Sequence, residues 1–245
     1  MSRAVKLVLA LVVIVAIAIG AFVFWYFVLD DDAPPEAELR DRSAETTTSA
    51  SGETGTGDTG ASAASADGSW TVETGDEVFV GYRVQELFAG DTLKKDAVGR
   101  SPAVDGTITV SGTSVTEGTF TADLTQLTSD QSRRDNAIRG RGLETDQFPE
   151  ATFTLTAPID IGAEPAVGTA YTLTARGDLT LHGVTRPIEF EIDARWNGET
   201  IDVAGNVPIV LADYGIEPPD VAGTLEVDDN GAMEFQLTFV PGASA

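Results

Sequence analysis

Few residues of this chain could do specific chemistry: it has one histidine, no cysteine, and a local concentration of arginine. His182 stands alone in GDLTLHGVTRPIEF, Gly177 to Phe190. A hydrolytic triad would need it as base, beside a nucleophile and an orienting acid. A metal site built on imidazole needs more than one, and thiolate zinc sites, disulfides and thiol nucleophiles are excluded by the lack of cysteine. A carboxylate calcium loop needs a glycine-punctuated acidic spacing, which is not found. The acidic DDNGAME at 228–234 reads instead as a hairpin turn with Asn230 and Gly231 at its tip. The residues therefore argue against an enzyme, and no metal or cofactor is implied. His182 reads as a turn residue. It follows the inward Leu181 and so points outward, Gly183 permits positive φ, and Pro187 restarts the next strand. Its ring is expected to bond nearby backbone or an acidic neighbour; a titrating switch stays open.

The second cluster is SDQSRRDNAIRGRGLETDQFP, Ser129 to Pro149, where Arg133, Arg134, Arg139 and Arg141 are four of the 15 basic residues. The segment predicts a short helix, capped by Ser129 or Asp130 and ended by Gly140, with Asp135 paired to an arginine. Two readings stay open for the arginines. Arg134 and Arg139 could meet a lipid headgroup or phosphate at a barrel mouth, or the face could be an ordinary solvated one with a structural Arg–Asp pair.

The elements that would position these residues are strands. Period-two alternation runs through Val78, Val80, Tyr82 and Val84; Val104, Gly106, Ile108 and Val110; Phe120, Ala122 and Leu124; and Ala151, Phe153 and Leu155. It continues from Tyr171 to Leu181, Ile188 to Trp196, Ile201 to Ile209 and Met233 to Phe239. Outward positions are largely Thr, Asp, Glu and Arg. About eight strands with short connections predict an all-β fold, an antiparallel eight-stranded barrel with a short helix. A barrel is favoured over a sandwich by the meander from 171 to 209 and by the small inward residues Gly106, Ala175, Gly177 and Gly205, which leave room for curvature.

Upstream, Leu7 to Leu29 carries no charge in 23 residues and is flanked by Arg3, Lys6 and Asp30 to Asp32. It is long enough to span a bilayer and ends in bulky aromatics, so 1–29 reads as a cytoplasmic stub and an uncleaved transmembrane signal anchor, with the C-terminal part exported, extracellular or periplasmic. Residues 30–69, rich in Ser, Thr, Gly and Ala, read as a disordered acidic linker. The barrel domain is expected over 70–241. With 39 acidic against 15 basic residues the net charge is −24, which opposes nucleic-acid binding and close contact with anionic lipid.

The motifs resemble the YceI-like family. Arg134, Asp135, Ile138 and Arg139, then Phe148, Pro149, Thr152 and Phe153, then Gly177, Leu179, Thr180, His182, Gly183, Val184, Thr185 and Pro187 stand at the family's spacing. LADYGI, Leu211 to Ile216, resembles a later family segment. The resemblance implies an extended lipocalin-like barrel, an exported protein, and a long polyisoprenoid or related lipid as ligand. The anchor and linker are extra to the typical small secreted member, and Ile138 replaces the family's leucine. The inward residues Val80, Tyr82, Leu124, Phe153, Leu179, Leu181, Phe190, Ile192, Trp196 and Ile209 are then the expected ligand contacts. Each buried CH₂ of a ligand could contribute about 0.8 kcal/mol. The partners expected are a long-chain isoprenoid or fatty lipid, and the membrane through the N-terminal helix; a homodimer is left open. The alternative is a cell-envelope interaction module with a filled core and no lipid.

Overall fold

The computed structural model describes residues 33–40, 65–75, 77–88, 92–218 and 225–242. The apolar run 7–29 and most of the 30–69 linker lie outside the described residues, among which no helix is long and apolar enough to cross a membrane.

Among the described residues there are twelve strands: β1 (Gly68–Val72), β2 (Phe79–Phe88), β3 (Lys95–Ser101), β4 (Val104–Ser111), β5 (Ser114–Asp123), β6 (Thr128–Ser129), β7 (Glu150–Leu155), β8 (Ile159–Asp160), β9 (Ala170–Leu181), β10 (Val184–Trp196), β11 (Ile201–Val210) and β12 (Leu225–Pro241). Eight close a ring in the order β1-β4-β5-β7-β9-β10-β11-β12, because β12 pairs back onto β1, and every pairing around it is antiparallel. The expected eight-stranded antiparallel barrel is thus present. Closure removes the open edges that a sheet of this size would expose.

The length of β12 shapes the site. Its last residues pair with β1, and its Leu225–Gln236 stretch pairs with β2, so β2 and then β3 and β6 prolong the wall beyond the ring at one end, here called the mouth. A short helix, α1 (Ser132–Ala137), follows β6 and runs on as a π-type turn over Ile138–Gly142. At the same end β10 and β11 part: they pair only through Ile192–Trp196 and Ile201–Gly205. The gap is filled by the 3₁₀ turn Leu211–Tyr214, with Tyr214 and Ile216 buried and Arg186 Nε donating to the Asp213 carbonyl at 2.6 Å.

The alternation read from sequence is the alternation of burial. In β9, Ala175, Gly177, Leu179 and Leu181 are buried, while Thr174 and Arg176 are exposed. The inward glycines have a sharper purpose than room to bend. A Cβ at Gly205 would lie 2.4 Å from Phe235 Cζ, at Gly177 2.3 Å from Phe153 Cζ, and at Gly99 2.3 Å from Tyr82 Cε1. Each glycine leaves the space that an aromatic ring from the neighbouring strand occupies.

His182 does what a turn residue should. Leu181 pairs with Val184, and the two residues between them have φ of 51° and 73°, the left-handed geometry of a two-residue hairpin turn. Nδ1 lies 3.1 Å from the Tyr214 carbonyl and Nε2 3.1 Å from Glu144 Oε2, and Phe148 packs edge-on at 4.4 Å between centroids. The backbone and acidic partners are the expected ones; they lie 32 and 38 residues away, so the turn is tied to two other segments.

Four local expectations are corrected. Asn230 and Gly231 are not a hairpin tip; they lie within β12, where the register against β2 shifts between Val227 and Gly231. Asp135 is not paired with an arginine: its Oδ1 accepts from Ser129 N at 2.9 Å and Ser129 Oγ at 2.7 Å, closing the β6–α1 turn. The helix is N-capped at Gln131 and does not stop at Gly140. Pro187 does not restart a strand; it sits inside β10 opposite Asp178, where β10 has no ladder to β11 and a missing N–H costs nothing. The folded unit also reaches upstream of Trp70. Trp70 Nε1 donates to the buried Ala66 carbonyl at 2.8 Å, and Arg40 pairs with Glu77 at 2.8 Å while its carbonyl accepts from Arg195 Nη1 at 3.1 Å.

Candidate functional site

The barrel interior holds two cavities, about 560 Å³ at the mouth and about 150 Å³ deeper in the ring. Both have Val80, Ala151 and Met233 in their walls, so they abut at that level. The larger falls within the roughly 300–1,000 Å³ of ordinary ligand sites.

All ten inward residues expected to face a ligand stand on these walls. Tyr82, Leu124, Leu181 and Ile209 line the mouth cavity; Phe153, Leu179, Phe190, Ile192 and Trp196 line the deep one; Val80 lines both. They come from β7, β9, β10 and β11 of the ring, from Leu124 just past β5, and from β2, which extends the ring through β12.

The deep cavity is walled by hydrocarbon and aromatic rings. Phe120, Phe153, Phe190 and Phe235 contact one another in sequence, with centroids 6.3, 5.4 and 6.1 Å apart, and Phe239 meets Phe120 edge-on at 5.9 Å. Such tilted and edge-on contacts are the preferred aromatic geometry. Phe120, Phe235, Phe239 and Met233 were absent from the expected contacts, although each stands in an alternating run.

The mouth cavity carries the polar groups. Arg134 lies in its wall and is held by Glu86, with Nε–Oε1 3.1 Å and Nη2–Oε2 2.9 Å, and also by Asp130. The Arg134 and Glu86 side chains are only 9% and 6% exposed, so the pair is almost dry. Burial opposes the charge on Arg134, but the Glu86 hydrogen bonds and charge outweigh it and hold the guanidinium above its usual range. Arg139 is not a wall residue; its Nη2 donates to the Leu127 carbonyl at 3.0 Å. Arg133 and Arg141, exposed, stand at the rim. Glu86 was missed, although it continues the inward face of Val80, Tyr82 and Val84, where an acid demands a partner. The Tyr82 hydroxyl is buried against Gly99 and has no hydrogen-bond partner. Burial pushes the phenol well above its ordinary pKa, so it remains protonated.

This arrangement of helix, hairpin and barrel coincides with a known family model, the YceI-like domain, matched over residues 70–239. The chain belongs to the YceI-like family. Protein YceI of Escherichia coli O157:H7 is 30% identical over 179 residues, which cover 68% of this chain and 85% of that protein. A UPF0312 protein of Vibrio parahaemolyticus is 37% identical over 101 residues, 38% of this chain, and the match spans half the length of that relative. In fold, the chain is similar to a polyisoprenoid binding domain from Saccharophagus degradans implicated in plant cell wall breakdown, with a TM-score of 0.56 at 20% identity, covering 71% of this chain and 98% of that one. The YceI-like motifs map onto the mouth: Arg134 meets Glu86, Phe148 packs on His182, and the 211–216 segment plugs the gap between β10 and β11.

Proposed function

We propose that this chain is an exported, membrane-tethered binding protein for a long-chain apolar ligand, a polyisoprenoid or related lipid, held inside the barrel. The observation that carries the reading is the pair of abutting cavities of about 560 and 150 Å³, the deeper one walled almost wholly by apolar side chains. A protein interior is normally packed at crystal-like density, so unfilled space of this size and lining calls for an occupant. An apolar chain entering it gains about 0.8 kcal/mol per CH₂ removed from water. The polyisoprenoid-binding domain of like fold supports the ligand class. The uncharged run 7–29, with basic residues before it and acidic ones after, supports the tether and the exported orientation.

The test is to extract the purified full chain with organic solvent and identify what is released by mass spectrometry. A stoichiometric isoprenoid or fatty chain is expected. A folded protein that releases nothing, and takes up no such chain saturably, would instead mean a barrel used only through its outer surface. Orientation is read separately, by protease accessibility of the barrel in intact cells.

A further inference from the structure

We infer that Ile161 and Pro165, on the loop between β8 and β9, set the length of apolar chain that the barrel accepts. The inference rests on the lumen binding proposed above and concerns the end of the lumen opposite the mouth. β9 runs the length of the interior: Leu181 stands in the mouth wall, and Ala175, Leu173 and Tyr171 stand in the deep one. At about 3.3 Å per residue and the usual barrel tilt, Leu181 to Tyr171 measures roughly 25 Å along the axis. A chain lying in that lumen must stop at its far end.

The stop is not made by the ring. Ile161, Pro165 and Ala66 are the residues of the deep wall that belong to no strand. Ala66 lies just upstream of β1, fixed by its carbonyl, which accepts from Trp70 Nε1 at 2.8 Å. The loop 161–169 leaves β8 beside the β4–β5 turn, where Ile161 N donates to the Thr113 carbonyl at 2.8 Å, and ends at the start of β9. Ile161 and Pro165 are half-buried, while every other residue of the loop is exposed. The backbone on either side of Pro165 is tied down. Gly162 N donates to Asp160 Oδ1 at 2.8 Å, Ala166 N to the Tyr171 hydroxyl at 3.0 Å, and Gly168 N to the Trp196 carbonyl at 2.7 Å. Proline itself holds its φ. The cavity at this end is about 150 Å³, against about 560 Å³ at the mouth, so added carbons meet a close fit here. A chain too long for the lumen must either lift the loop and break those bonds or leave carbons in water at the mouth.

The experiment offers the full chain, in non-ionic detergent, an equimolar mixture of geraniol, farnesol, geranylgeraniol, geranylfarnesol and solanesol. The prenols retained after removal of excess are extracted and quantified by mass spectrometry. The native chain is expected to retain one length best and the next longer one poorly. Ile161→Ala with Pro165→Ala removes about five side-chain carbons, the size of one isoprene unit. That variant should move the optimum to the next longer prenol and change the ratio of the two roughly tenfold. Ile161→Phe makes the opposite change and should move the optimum to a shorter prenol. Tyr171→Phe frees the Ala166 N–H without altering the wall volume and should keep the native optimum. An optimum that stays put in both wall variants overturns the inference, as does a weakening that is uniform across all lengths or a Tyr171→Phe shift as large as that of the double variant. In each of these cases binding in the lumen stands. If the native chain retains none of the prenols, the lumen reading fails and this inference falls with it.

Discussion

Arg134 shows how much a single side chain can conceal in the sequence. Its position in an arginine-rich segment left a headgroup contact and a structural ion pair both open; the structure ties it to Glu86 and Asp130. Removing one member of such a pair leaves the other charge buried, whereas removing both leaves only a packing defect. Arg134→Ala is therefore expected to destabilise the fold by about 3–5 kcal/mol, and the double variant Arg134→Met with Glu86→Met by much less. Urea unfolding of Arg134→Ala and of the double variant checks this. Tyr82 predicts an alkaline limit. Its folded pKa is raised by burial, so below about pH 10 both folded and unfolded chains hold the proton and nothing is lost. Above that, the unfolded chain ionises while the folded one cannot, and stability falls by about 1.4 kcal/mol per pH unit from this residue. Tyr82→Phe should lose less stability than the native protein between pH 9 and pH 11, as read from urea midpoints; parallel losses would place the alkaline weakness elsewhere.

At the scale of elements, alternation located the ten expected wall residues. It marked β9 and its inward face from Tyr171 to Leu181 because a strand with one wet side can be read two residues at a time. It failed at Asn230 and Gly231, where local turn chemistry says hairpin and the long pairing of β12 with β11 overrules it. Charge proximity in sequence failed at Asp135, whose nearest opposite charges there are arginines but whose donors in space belong to Ser129. Contacts between distant segments, such as Arg134 with Glu86, leave no local trace. The pairing of inward glycines with aromatic rings gives the prediction for this scale. Gly205→Ala should cost about 1–3 kcal/mol by driving a methyl into Phe235, while Gly140→Ala, with open space around it and no positive φ, should be neutral or slightly stabilising. Thermal or urea unfolding distinguishes the two. A similarly small effect at both would mean that the rings can move off their glycines.

For the whole molecule, the question is what fills a barrel whose walls are complete and whose interior is not. Closure by β12 onto β1 fixes the width of the ring, and the extension through β2, β3 and β6 adds the wider mouth beneath α1. The architecture was legible from strand count, spacing and the hairpin around His182. The division of the interior was not, because it depends on where β10 and β11 part and on which segment fills the gap. Ala151, 6% exposed and part of both cavity walls, stands where mouth and deep lumen meet. A phenylalanine there has free space to occupy and should obstruct the passage while the fold persists. Native mass spectrometry of the full chain beside its Ala151→Phe variant tests the central claim most directly. The account predicts one long apolar molecule retained per native chain and a shortened or absent one in the folded variant; a native chain that carries nothing, or a variant that retains the same molecule undiminished, would contradict it.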